Sequence, residues 1–197
     1  MDVPEYLEEM GRCDTASELL KSVGDNSLMA YYHLLWVGEY IVKIGNNKST
    51  QTEQFKLEDC WFLKLEKFGQ LKPLSKFASD EDIMLADSAT LKLENQKNGR
   101  KGVCVHQHEN GKTIMFGVRA IGRLYCYIRK DSYGDWEIWL SAYWEDSKNR
   151  CDTTDEYIRR NVKFAATEYF GTRVIPVDNV DTHWLRSGGA MALALSG

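Results

Sequence analysis

The sequence predicts an α+β fold, mostly α, built round a small antiparallel sheet. Three observations carry this. Apolar residues recur at helical spacing in several separate stretches, two regions between residues 54 and 105 alternate apolar with polar residues, and an Asn-Gly pair interrupts the second of these as a hairpin turn would. With 197 residues, 43% hydrophobic, 27% charged and only three prolines, the chain has an ordinary globular composition, and no Ser/Gly/Pro-rich tract reads as a linker.

Residues 1–26 are expected as an acidic N-terminal helical segment. Within it Thr15 and Glu18 have capping-box spacing, which opens a short helix through Val23. Residues 27–42 are apolar on nearly every face and are expected as one central helix. In residues 54–65, Phe55, Leu57, Trp61, Leu63 and Leu65 fall at odd positions, the period of a half-buried strand.

Ser79 followed by three acidic residues is a helix start. Ala89, Leu91 and Leu93, then Val103 and Val105, alternate on either side of Asn98-Gly99, so a β-hairpin carries Lys97 at its tip. Val118, Ile121, Tyr125 and Ile128 predict an amphipathic helix, and a short strand is expected at residues 136–140. Thr153 and Glu156 open a further helix with Ile158, Val162, Ala165, Ala166 and Tyr169 on one stripe. Pro176 closes the next loop, and a last helix begins near Asp181 or Thr182. No repeat or composition break divides residues 27–197, which are read as one domain.

The net charge of −4 conceals a segregation: residues 1–25 sum to −5 and residues 91–130 to +7. Lys92, Lys97, Arg100, Lys101, Arg119 and Arg123 belong to that basic stretch, which either tracks a phosphate backbone or is a solvated hairpin and helix face. Five scattered cysteines without a CxxC pair fit free thiols in a reducing compartment. The acidic N-terminus lacks the features of a signal peptide, and His33 and Glu39 interrupt the longest apolar run before it could span a bilayer. The expected location is inside the cell, and the nucleus if the source is eukaryotic.

His183 and Arg186 stand three apart at the head of a predicted helix, so both address one face, where unpaired N–H groups favour an anion. Gly188 and Gly189 allow another backbone or a ligand to come close. A structural His beside a surface Arg is the alternative. Cys104, His106 and His108 alternate on one strand face, yet a polar hairpin face explains them better than a metal site without an evident fourth ligand. Tyr31, Tyr32, Trp36 and Tyr40 read as core packing and Cys60 as a buried thiol.

From residue 27 to residue 197 the chain resembles the catalytic domain of tyrosine recombinases of the phage-integrase type, nearest to those of eukaryotic mobile elements. The segments that carry the resemblance are LLWVGEY (34–40), ADSATLKLENQKNGRKGVCV (86–105), VRAIGRLYCYIRK (118–130) and DTHWLRSGGAMALALSG (181–197). The resemblance implies double-stranded DNA as partner, DNA integration and recombination as the family function, and strand cleavage through a phosphotyrosine with no metal and no other cofactor. His183 and Arg186 would stabilise charge on the phosphoryl oxygens, and Lys97 would be the general acid. Lys92, Arg100, Lys101, Arg119 and Arg123 would contact DNA, and homo-oligomerisation is a further expectation.

Two departures point to a degenerate, truncated domain. Trp36 stands where the family has its first catalytic arginine, which leaves Glu39 without the partner it would brace. Only eleven residues follow Arg186 and none is Tyr, so the family's nucleophile has no counterpart there. The expectation is a catalytically inactive domain; the alternatives are a non-catalytic DNA-binding or oligomerising protein, or a relic without a selected role. Met191, Leu193 and Leu195 are expected to leave apolar surface open.

Overall fold

The computed structural model describes residues 3–41, 53–94, 101–109, 117–146, 148–170 and 176–196. The chain is α+β, with helices outweighing a small antiparallel sheet. Helix α1 (Val3–Arg12) lies against α2 (Glu18–His33). Ser17, two residues later than expected, caps α2: its side chain accepts a hydrogen bond from the Leu20 amide at 3.2 Å.

The expected helix break and domain boundary near residue 26 fall inside α2, which runs on unbroken. The polar residues of this stretch have partners within the fold. Asn26 Nδ2 donates to the Ser22 carbonyl at 2.9 Å, and Asp25 receives Arg123 Nε at 2.7 Å. Gly24 lets α1 cross, since a Cβ there would stand 2.8 Å from the Leu7 carbonyl oxygen.

The expected single helix over residues 27–42 is likewise corrected. Leu34 adopts a left-handed conformation (φ 53°) and ends α2, with the amides of Leu34 and Leu35 both donating to the Ala30 carbonyl. A four-residue helix, α3 (Val37–Tyr40), restarts the chain in a new direction.

Four strands form a sheet in the order β2-β1-β3-β4: β1 (Cys60–Leu65), β2 (Leu71–Pro73), β3 (Ser88–Leu93) and β4 (Val103–His108). Within β1 the inward face is Cys60 and Phe62, whereas Trp61 and Leu65 are exposed. The odd-numbered expectation holds for Phe55 and Leu57 and then inverts, because a 3-10 turn at Leu57–Asp59 shifts the phase by one residue. The β3–β4 hairpin pairs Leu93 with Val103, and its predicted Asn-Gly tip lies outside the described residues.

Ser79 caps α4 (Asp80–Met84), as its sequence suggests, by accepting from the Asp82 amide at 3.1 Å. Helix α5 (Gly117–Asp131) buries Val118, Ile121, Tyr125 and Ile128 against α2, α4 and the sheet. Each such side chain contributes roughly 1.5–3 kcal/mol through removal from water.

Residues 136–140 form turns around one isolated antiparallel bridge, Trp139 with Lys56, and not the continuous strand expected, since their carbonyls serve the 3-10 turn: Leu57 N donates to Ile138 O and Glu58 N to Trp136 O. A strand pair follows, β5 (Ala142–Trp144) with β6 (Arg150–Asp152). The last helices are α6 (Asp155–Phe170), with Ile158, Val162, Ala165 and Ala166 buried, and α7 (His183–Ser196), which crosses α2. The Tyr169 side chain lies outside the described residues. Among the described residues no helix is long and apolar enough to cross a membrane.

Candidate functional site

The α2–α7 crossing is close because of one glycine. A Cβ on Gly189 would lie 2.1 Å from the Tyr31 carbonyl oxygen, whereas one on Gly188 would meet only the Tyr31 ring, at 3.4 Å. The head of α7 is fixed by Asp181: its carboxylate accepts from the Thr182 amide at 2.6 Å and from Arg159 Nε at 3.0 Å. These contacts hold the Asp181 carboxyl below its ordinary range, with burial opposing them.

So anchored, α7 turns His183 and Arg186 toward the chain reversal between α2 and α3. Both meet Trp36. The imidazole stacks on the indole with centroids 5.3 Å apart and planes 28° apart, and the Arg186 guanidinium carbon sits 4.2 Å from the indole centre. Arg186 Nη1 also donates to the Leu34 carbonyl at 2.7 Å. That carbonyl is presented by the left-handed turn that ends α2.

Glu39 finds a partner within its own short helix. Its Oε2 accepts from the Trp36 backbone amide at 2.7 Å, which makes it the cap of α3. Trp36 is 37% exposed, so the indole is a surface feature and not the core residue of an aromatic stripe. Nothing in the local sequence foretells the stack, since its members are about 150 positions apart.

The remaining cationic candidates are dispersed. Lys97 and Arg100 lie outside the described residues. Lys101 is exposed at the start of the strand returning from the hairpin, and Lys92 pairs with Glu94, which raises the lysine pKa. Arg119 Nε is 3.8 Å from Glu109. Arg123 does not stand on an open basic face: its guanidinium is held by Asp25 and by Glu8, at 2.7 Å and 3.2 Å, at the junction of α1, α2 and α5.

Cys104, His106 and His108 share the exposed face of β4, where His106 Nδ1 is 2.8 Å from Thr90 Oγ1. Among the described residues no group of three or more His, Cys, Asp or Glu is arranged to hold a metal ion. Cys60 is buried, and burial pushes its thiol well above the ordinary range. Met191, Leu193 and Leu195 are exposed on α7.

As an arrangement, Trp36, His183 and Arg186 offer two nitrogen-bearing side chains of a helix head gathered against one indole, a surface suited to an anion and to a flat ring beside it. Comparison with protein-family models, with curated proteins and with solved structures returned no match to this chain.

Proposed function

We propose that the chain is a DNA-binding domain of the tyrosine-recombinase type, derived from a mobile element, that holds duplex DNA without cutting it. One observation carries the reading. His183 and Arg186, the pair that the resemblance assigns to the scissile phosphate, converge on residue 36, the position it assigns to the first catalytic arginine. Residues so far apart in sequence have no local reason to meet.

The same observation argues for silence. An indole cannot donate a charged fork to a phosphoryl oxygen, and here it sits against Arg186, whose Nη1 is already engaged by a backbone carbonyl. DNA would then be held by the exposed Lys101, by Arg186 and His183, and by the hairpin tip, with Arg123 reserved for the fold.

Duplex binding measured by fluorescence anisotropy across a salt series tests the reading. Affinity is expected to fall with salt at about −0.9 in log–log slope per phosphate contacted, and a flat series defeats the proposal. A nicked suicide substrate is expected to yield no covalent adduct, so a denaturation-resistant complex would overturn the inactive part alone. An oligomerising protein is the second reading, favoured by the exposed Met191, Leu193 and Leu195 on α7, and sedimentation velocity separates the two.

A further inference from the structure

A cleft of about 270 Å³ opens between the Leu57–Asp59 turn, the start of β1, residues 74–76 and α5. We propose that it binds a small planar aromatic molecule carrying one negative charge, with the ring in the cleft and the anion on Lys76 at the mouth.

The space opens to solvent and is close to the lower end of ligand pockets, about 300 Å³. Liquid water takes up roughly 30 Å³ per molecule, and protein interiors leave few voids larger than one. The floor is apolar and deeply buried: Leu57, Phe62, Ile83 and Tyr125 are each at most 3% exposed. Trp136 forms a wall, with its ring tilted toward Tyr125 at 6.3 Å. The lining that solvent reaches is mixed, with Glu58, Ser75 and Lys76 beside Trp61 and Trp136, so an aromatic ligand that carries a charge fits it better than a purely apolar one.

The opposite wall is held in place from below. The Lys76 carbonyl accepts from Tyr125 Oη at 3.1 Å and from Arg129 Nη1 at 3.0 Å, and the Leu74 amide donates to Phe62 O at 2.8 Å. The segment bearing Lys76 is therefore fixed at its backbone while the ammonium stands at the rim. A ligand need not order it first.

Charge selects the ligand class. Lys76 Nζ lies 4.8 Å from the Trp136 ring centre and 5.1 Å from that of Phe77, and among the described residues no carboxylate pairs with it. Aromatic faces attract cations, but here that place is filled by the chain's own lysine, so a cationic ligand would meet an ammonium. Among the described residues the one carboxylate lining the cleft, that of Glu58, is 3.8 Å from Lys56, which offsets its repulsion of an anion. Burial pushes the Cys60 thiol beside the cleft well above its ordinary range, which disfavours the nucleophilic thiolate.

Isothermal titration of the whole chain with 2-naphthoate, 2-naphthamide and 2-naphthylmethylammonium tests the proposal. Saturable one-to-one binding of the carboxylate is expected, with the neutral and cationic analogues at least about tenfold weaker. Lys76→Gln should erase the preference for the acid and Lys76→Arg should keep it, with unchanged circular dichroism showing that each variant folds. The proposal is overturned if the naphthoate gives no saturable heat, if either analogue binds as tightly, or if Lys76→Gln binds the acid as the parent does. DNA affinity is independent of these outcomes.

Discussion

At the junction of α1, α2 and α5, Arg123 is enclosed by two carboxylates, those of the buried Glu8 and of Asp25. At the junction of α2, α3 and α7, Arg186 meets an indole ring and a backbone carbonyl and faces no carboxylate among the described ion pairs. Arg123 belongs to the basic stretch of residues 91–130, and Arg186 stands at the head of the otherwise uncharged α7. The first is neutralised where it stands and ties the N-terminal helix to the core. The second, near the surface, has no ion pair among the described residues. A basic residue count cannot separate these two uses, because the difference lies in which distant carboxylates fold against each guanidinium.

The largest effect should come from breaking the first junction. Arg123→Leu strands Asp25 and leaves Glu8 to its other partner, Arg12, and the loss of one partner from a buried charge cluster costs roughly 3–5 kcal/mol. Urea unfolding measures it. Burial already pushes the Asp25 carboxyl up against the pull of Arg123, so adding Glu8→Gln and Asp25→Asn to Arg123→Leu should recover most of the loss. If Arg123→Leu costs no more than an exposed pair would, the contrast between the junctions fails.

Acid should act next, and on the second junction. His33, one residue before Leu34, is buried, with Nδ1 3.2 Å from the Met29 carbonyl and Nε2 without a partner; burial pulls its pKa down to about 4. The folded state thus favours neutral imidazole. Its contribution is whole above the unfolded value near 6.5 and is lost as pH falls toward about 4, a difference of roughly 3 kcal/mol. Carboxylates titrate in the same window, so the measurement is the difference in stability slope between the parent and His33→Leu. Equal slopes would mean that the imidazole can charge within the fold.

The glycines of α7 come third. Gly189→Ala drives a Cβ into the Tyr31 carbonyl, an atom of the α2 backbone that no rotamer can move, and should cost about 1–3 kcal/mol or more. Gly188→Ala meets only the edge of a ring and should be neutral or gain up to about 1 kcal/mol in helix propensity. Thermal unfolding of the two variants compares them directly. Equal losses would show that α7 does not depend on this contact.

Much of the fold was legible because it is local. The caps at Ser79 and near Thr154, the stripe of α5, the β3–β4 hairpin and the start of α7 depend on residues a few positions apart. The failures share a cause. The break expected near residue 26 is suppressed by partners on α1 and α5, and the phase of β1 is reset by a 3-10 turn fastened to residues 136–138. The site was legible in half. His183 and Arg186 share a helix face, as their spacing requires, and Gly189 permits the close approach suggested for it. That Trp36 would be their common neighbour could not be read, because only tertiary packing brings the Leu34 turn beneath α7.

The smallest effect tests whether that neighbourhood is a coupled unit. Trp36→Ala removes the ring facing His183 and Arg186 but leaves the Trp36 amide free to donate to Glu39, so α3 keeps its cap. A cation–π contact at a partly exposed ring is worth about 0.5–1 kcal/mol, and the stability loss should be of that order, beyond the area removed. A double-mutant cycle with Arg186→Ala isolates it: the coupling energy should fall near that range, several-fold below the coupling of Arg123 with Asp25 in a parallel cycle. The restraint also bears on DNA. If the indole holds Arg186 back, Trp36→Ala should leave duplex affinity equal or higher despite the weaker fold, whereas a loss of affinity together with stability would make Trp36 itself a contact.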